Sequence, residues 1–321
     1  MVAGPLFNMK KRKKILFFGL GSIGLRHARL LQANFDADLA AYRTSDSENQ
    51  LGIKEFRSIE SAFDFQPDAA FITNPTDQHI ETAIECAKRS VHLFIEKPLS
   101  NTTEGIPELI QLIEARDLVN HVGFCMRYHP VIKYLKEKVN KNDAFYSRTI
   151  CSSYFPLWRP GQDYRNSYSA DINRGGGVVN ELVHELDYNQ HLFGKIDLLK
   201  QESGQVSDLE ISAPDYAEFQ SAHTGGLESH ISLDFFSHAR ERKISIYFPE
   251  KVVMGDILNQ TVQVFKNHEL VQEIDIVDEN MYLNQLNSFM NALESRDLTG
   301  LCSVKSGYNI VKLLTEKTTR L

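Results

Sequence analysis

The sequence predicts an α/β chain in two parts: an N-terminal doubly wound parallel sheet, then a C-terminal α+β domain with a mostly antiparallel open sheet. Three observations carry this. From Ile15 to about Phe124, short apolar strands alternate with amphipathic helices, as in β-α-β units. The first of these strands runs into Gly19-Leu20-Gly21-Ser22-Ile23-Gly24 and then a helix. Past about Tyr134 the apolar residues recur at every second position, the period of a half-buried antiparallel sheet. The length of 321 residues suits two domains, which we place at 10–125 and 126–321.

In the first part, strands are expected at 14–19, 38–43, 69–73, 91–95 and 119–124, and helices at 23–35, 58–64, 78–89 and 104–116. A helix at 130–139 opens the second part. Alternating segments follow at 144–154, 195–211, 216–223, 227–236, 243–248, 251–259 and 260–266. One long helix, 177–192, interrupts them, and helices at 281–295 and 303–317 close the chain.

With 42% hydrophobic and 24% charged residues, a sizeable core is expected and wholesale disorder is not. A net charge of −7 argues against nucleic acid or an anionic membrane as partner. The one basic cluster, 10–14, reads as a solvated extension, and the first nine residues hold no apolar signal-peptide core. No apolar run approaches the roughly 20 residues that span a bilayer. Cys86, Cys125, Cys151 and Cys302 show no C-x-x-C pairing and read as buried thiols of a reducing, cytoplasmic compartment.

The glycines of the first turn have separable roles. Gly19 allows the tight turn. Gly21, without a side chain, lets the backbone approach a pyrophosphate, and Gly24 lets the helix pack on the strand. The helix that begins near Ser22 and Ile23 would aim its free N–H groups at the phosphates. A glycine-rich turn with no ligand is the plainer alternative. Asn74-Pro75-Thr76-Asp77-Gln78-His79 ends the third strand at the same sheet edge, near a nicotinamide or its ribose. His79 belongs either to that site or to the cap of the next helix. Glu96-Lys97-Pro98 places an ammonium just past the fourth strand, where it can exchange a proton with a hydroxyl being oxidised. Glu96 would pair with a nearby basic group. An exposed lysine after a strand is the bland reading of Lys97.

Gly175-Gly176-Gly177 starts a helix on which Glu181, His184, Glu185 and Tyr188 recur at spacings of three and four, hence on one face. His184 with a neighbouring carboxylate is a plausible proton carrier. A zinc ligand pair and a solvated helix face are the competing readings; no further His/Cys set has the spacing for a metal, so none is assigned. Before this helix, 158–170 is a long loop with Tyr164 and Arg165. Its aromatic and basic residues suit sugar rings and phosphates, a plain connection being the alternative.

Taken together, the glycine turn, 74–79, 96–98, the 123–130 segment and the 175–188 helix resemble the glucose-fructose oxidoreductase / inositol dehydrogenase / rhizopine catabolism family, Gfo/Idh/MocA, over nearly the whole chain. The stretch from Asp163 to Ala170 with the triple glycine and His184-Glu185-Leu186-Asp187-Tyr188 resembles a subgroup associated with cell-surface carbohydrate biosynthesis. The resemblance implies hydride transfer between a nicotinamide and a carbon of a sugar, sugar nucleotide or cyclitol. It puts Lys97 in the place of the catalytic lysine and His184 in that of the active-site histidine. It also implies cofactor and substrate contacts at Arg127, and a homodimer or homotetramer built on the open face of the C-terminal sheet. Many members carry an aspartate four residues before that histidine; here Asn180 stands there, and the acid is Glu181.

Arg43, Thr44 and Ser45 close the second strand, where an acid would favour the ribose diol of NAD. A cation with two hydroxyls fits a 2′-phosphate better, so NADP is favoured over NAD; stacking of Arg43 on the adenine without selection is the alternative. Two further functions stand against the redox reading: a glycosidase or epimerase that cycles its cofactor without net redox, and a non-catalytic nucleotide-binding sensor.

Overall fold

The computed structural model describes residues 12–44, 49 and 51–315. They form two compact units. The first contains β1 (Lys13–Phe18), α1 (Ser22–Asn34), β2 (Ala37–Tyr42), β3 (Lys54–Phe56), α2 (Ile59–Asp64), β4 (Ala69–Ile72), α3 (His79–Lys88), β5 (His92–Ile95), α4 (Ile106–Ala115) and β6 (Asn120–Val122). All six strands pair in parallel in the order β3-β2-β1-β4-β5-β6. This is the doubly wound order in which the chain reverses direction between the first and fourth strands, leaving a crevice at their carboxyl ends. β4 throughout, β1 from Ile15 and β5 from Leu93 are apolar and buried, as strands covered on both faces must be.

In the core of this unit Phe71 and Phe94 stack with ring centres 4.4 Å apart. Phe289 packs edge-on against both, at 5.6 and 5.4 Å. Phe289 comes from the far end of the chain: Leu286–Val304 returns to the first unit. That segment is fixed to β6, since Val122 N–H donates to Cys302 O at 2.7 Å and Val304 N–H to Asn120 Oδ1 at 2.7 Å.

The second unit holds α5 (Pro130–Lys138), β7 (Tyr146–Tyr154), α6 (Val178–Glu181), α7 (His184–Phe193), β8 (Ile196–Gly204), β9 (Tyr216–His223), β10 (Glu228–Asp234), β11 (Phe236–Phe248), β12 (Lys251–Asp256), β13 (Thr261–Lys266) and β14 (Glu269–Asp275). The eight strands run β14-β13-β12-β11-β7-β10-β9-β8, antiparallel except where β7 meets β10. α5 and α7 cover one face through Val131, Ile132, Leu135, Tyr188 and Leu192 against Ile244, Ile246 and Val253. Helices α8 (Met281–Ser295) and α9 (Val304–Thr315) end the described chain. No described helix is long and apolar enough to cross a membrane.

The elements depart from expectation at five places. β3 and β14 were not anticipated. β11 begins at Phe236, because its first half, Ser237 to Arg242, lacks apolar alternation and is held by backbone pairing across a register shift. β8 stops at Gly204 because the buried Asp215 carboxylate gathers the amides of Val206 and Ser207, at 2.9 and 3.0 Å, into a turn. The long helix expected over 177–192 is two helices, broken at Leu182 and Val183, which are buried in the break.

Candidate active site

The glycine turn sits at the switch point of the parallel sheet. Gly19 has φ +91°, and a Cβ there would lie 3.0 Å from the Asn74 amide nitrogen, so the ends of β1 and β4 meet backbone to backbone. A Cβ on Gly24 would sit 2.7 Å from Thr73 Oγ1 and 2.8 Å from the Gly19 carbonyl oxygen. On Gly21 it would meet nothing within 4 Å. Gly19 and Gly24 are therefore required by packing, whereas the bareness of Gly21 faces open space at the N-terminus of α1. The first turn of α1, which begins with Ser22 and Ile23, carries no acidic residue. An exposed glycine at an undecorated helix N-terminus fits a pyrophosphate.

Arg43 follows β2 directly, with its guanidinium buried against Glu55 of β3. Arg57 binds the other oxygen of Glu55 at 3.0 Å and donates to the Arg43 carbonyl at 3.1 Å. Two guanidiniums thus share one carboxylate beside the exposed Thr44. Ser45 lies outside the described residues.

The turn after β4 is held from inside. His79 is buried, with Nδ1 3.0 Å from the Pro98 carbonyl and Nε2 3.0 Å from the Asn74 carbonyl. Desolvation lowers its pKa, opposed by those backbone carbonyls. The ring links the Asn74-Pro75-Thr76 turn to Pro98, whose peptide bond to Lys97 is cis. Asn74 Nδ2 also donates to Thr82 Oγ1 at 3.0 Å.

Glu96 is buried and pairs with a basic group, His27 of α1: Nε2 lies 2.6 Å from Oε1. Its second oxygen accepts from the Lys97 amide at 3.1 Å. The carboxylate thus aims the backbone that carries Lys97, whose side chain is half-buried just beyond β5. Sequence reasoning did not single out His27. The available signal was a histidine one turn past the glycine motif, on the apolar face with Ala28 and Leu31.

In the second unit Glu181 ends α6 and His184 opens α7. The break alters the single polar face expected for them. Glu181 and His184 are half-buried, whereas Glu185 and Tyr188 are fully buried. Glu185 Oε1 accepts from Arg242 Nε at 2.7 Å. Ser169 Oγ donates to Glu181 Oε1 at 3.0 Å. Asn180 Nδ2 donates to the Gly175 carbonyl at 2.9 Å and so ties down the triple glycine. The His184 ring packs edge-on against Phe124 at 6.0 Å.

Arg127 forms a buried fork with Asp187, Nε to Oδ2 at 2.8 Å and Nη2 to Oδ1 at 2.6 Å. Burial pushes the Asp187 carboxyl up, and the fork pulls it back. Arg165 is gripped by Asp163 and by Glu210, the latter at 2.6 Å. The Tyr164 hydroxyl accepts from the Glu210 amide at 3.3 Å. All four cysteines are free and buried.

A glycine turn at the switch point of a parallel sheet, with a lysine past the neighbouring strand, is the frame on which the comparisons with known oxidoreductases fall. Residues 13–124 match the family described as "Oxidoreductase family, NAD-binding Rossmann fold", GFO_IDH_MocA. That match makes the first unit similar to the dinucleotide-binding domain of the Gfo/Idh/MocA oxidoreductases. It is 24% identical over 274 residues to the myo-inositol 2-dehydrogenase of Thermotoga maritima, covering 80% of this chain and 79% of that protein. It is 22% identical over 292 residues to the UDP-N-acetylglucosamine 3-dehydrogenase of Acidithiobacillus ferrooxidans, covering 86% and 87%. A solved structure of the latter enzyme matches with a TM-score of 0.79 at 21% identity, over 94% of this chain and 96% of that one. The WlbA dehydrogenase of Bordetella pertussis, solved with NADH and UDP-GlcNAcA, matches with a TM-score of 0.77 at 16% identity, over 95% and 94%.

Proposed function

We propose that the protein moves a hydride between a nicotinamide dinucleotide and a hydroxyl-bearing carbon of a carbohydrate, a sugar, sugar nucleotide or cyclitol, with Lys97 as its proton carrier. The observation that carries this reading is the pairing, within one sheet, of the bare Gly21 turn after β1 with Lys97 after β5. When bound, the dinucleotide accepts or supplies the hydride. The chain's own residues do the rest. Gly21 and the α1 N-terminus hold the pyrophosphate. The 74–76 turn, latched by His79, orients the ring end. Glu96, fixed by His27, presents Lys97, whose ammonium gives a proton to the substrate oxygen in reduction and whose neutral amine takes it in oxidation. His184 is a second proton carrier, and Glu181 fixes the loop in front of it through Ser169.

NADP is the favoured cofactor. Arg43 and Arg57 bring two guanidiniums to the end of β2 beside Thr44, where a 2′-phosphate would lie. Buried free thiols suit a reducing cytoplasm. A dimer or tetramer on the open sheet face is the expected assembly.

Titration with NADPH and NADH, followed by nicotinamide fluorescence, is the first test. Tighter NADPH binding, lost in Arg57→Ala, supports the phosphate site; preference for NADH discards it and keeps the enzyme class. Binding of neither, with no cofactor already held, sinks the redox reading. Lys97→Met should cut turnover by about 10²-fold or more with dinucleotide binding retained, and intact turnover would remove Lys97 from the mechanism.

A further inference from the structure

The loop between β7 and α6 is folded, not slack. Short 3-10 turns at Phe155–Leu157, Tyr164–Asn166, Tyr168–Ala170 and Ile172–Arg174 build it. Asp163, Ser167 and Asp171 cap the last three of these with their side chains. It encloses a cavity of about 500 Å³ within the second unit, with Phe155, Trp158, Tyr164, Tyr168, Arg159 and Arg174 in its wall. The aromatic side is rigid: Phe155 stacks on Phe235 at 4.9 Å, Trp158 meets both edge-on, and Trp158 Nε1 donates to Ser153 Oγ at 2.8 Å.

The charges differ in availability. Arg165 is neutralised by Asp163 and Glu210. Among the described residues, no carboxylate lies within ion-pair distance of Arg159 or Arg174, and both are exposed in the cavity wall. A neutral sugar or cyclitol has no use for two uncompensated guanidiniums. A diphosphate does, and its base has aromatic faces to lie against. The cavity also reaches the catalytic helix pair. Tyr168 and Ser169 line it, and both engage Glu181, three residues before His184.

We propose that this cavity receives the nucleoside diphosphate of a nucleotide-activated sugar, with Arg159 and Arg174 on the phosphates and the aromatic wall on the base. The inference rests on the carbohydrate oxidoreductase reading and narrows its substrate to sugar nucleotides. The sugar would then extend past Tyr168 and Ser169 to His184.

Trp158 is the only tryptophan in the chain, so emission excited selectively from tryptophan, away from the tyrosine band, reports on this cavity. The full-length protein is titrated with UDP, dTDP and GDP, with uridine and with inorganic phosphate. The expected result is saturable quenching by at least one nucleoside diphosphate, about tenfold or more tighter than uridine or phosphate. Arg159→Gln and Arg174→Gln should each weaken it about tenfold, with NADPH binding unchanged as the check on folding. No response to any nucleoside diphosphate, a response no stronger than that to phosphate, or indifference to both substitutions overturns the proposal. If diphosphates fail while a Lys97-dependent oxidation of myo-inositol proceeds, only this inference falls. If they bind while no dinucleotide does, the cavity stands and the redox reading falls.

Discussion

Gly21 and Gly24 are three residues apart and meet opposite surroundings. A methyl group on Gly24 would press on the Gly19 carbonyl oxygen at 2.8 Å, and backbone cannot swing away as a side chain can. Gly24→Ala should therefore cost about 1–3 kcal/mol of stability, as overpacking does, and separate α1 from the turn. Gly21→Ala should leave the thermal midpoint nearly unchanged, within about 0.5 kcal/mol. It should nevertheless weaken dinucleotide binding about tenfold, because the added methyl occupies the phosphate's approach. Thermal melts beside nicotinamide titrations separate the two, and equal behaviour of both variants would refute the assignment.

At the scale of elements, α1 is clamped to the end of β5 by His27 and Glu96, both buried. His27→Ala strands a buried carboxylate and should cost about 3–5 kcal/mol, read as a fall in the urea midpoint. Lys97-dependent turnover should drop with it, since Glu96 also holds the Lys97 amide; an unchanged midpoint would mean that the clamp carries no load. Such long-range partners are invisible in a linear sequence, because 69 positions separate the two residues. What periodicity does reveal are elements with an apolar face. β1, β4, β5 and the amphipathic α3 and α4 were legible for that reason. β3 is three residues long, too short to show a period, and β14 is exposed along nearly its whole length, so neither writes an alternation into the sequence. The break between α6 and α7 was hidden for the opposite reason. Leu182 and Val183 are apolar and continue a helical stripe, yet their burial is in a turn. Of the candidate site, the glycine turn and Lys97 could be read from local spacing. The half-buried state of Glu181 beside the full burial of Glu185 could not.

Across the whole molecule, burial lowers the pKa of five histidines: His79, His223 and three more. Burial lowers His92 and His129 from 6.5 to about 4, and His191 to about 3. Arg296 adds to burial at His92, Arg242 at His129 and Arg127 at His191. The unfolded chain takes up a proton at each below pH 6.5, whereas the folded chain resists until about 4 or lower. Stability from these groups is thus complete above 6.5 and is lost as pH falls toward 4. After discounting for partial exposure, the loss is on the order of 1–2 kcal/mol per histidine. Urea midpoints should decline between pH 7 and 4.5. His129→Asn, which keeps an acceptor for the Val131 amide of the α5 cap, should flatten part of that slope. A midpoint that rose on acidification would contradict the sign.

Leu286–Val304, which completes the core around Phe71 and Phe94, has a consequence for biogenesis. A ribosome releases the six strands of the cofactor domain long before it releases Phe289. Until then the stacked Phe71–Phe94 pair lacks its edge-on partner, and β6 lacks its bond to Cys302. The first domain synthesised is therefore finished only when nearly the whole chain has emerged. Nascent chains stalled before residue 286 should be more protease-sensitive in residues 12–122 than chains stalled after release of residue 304.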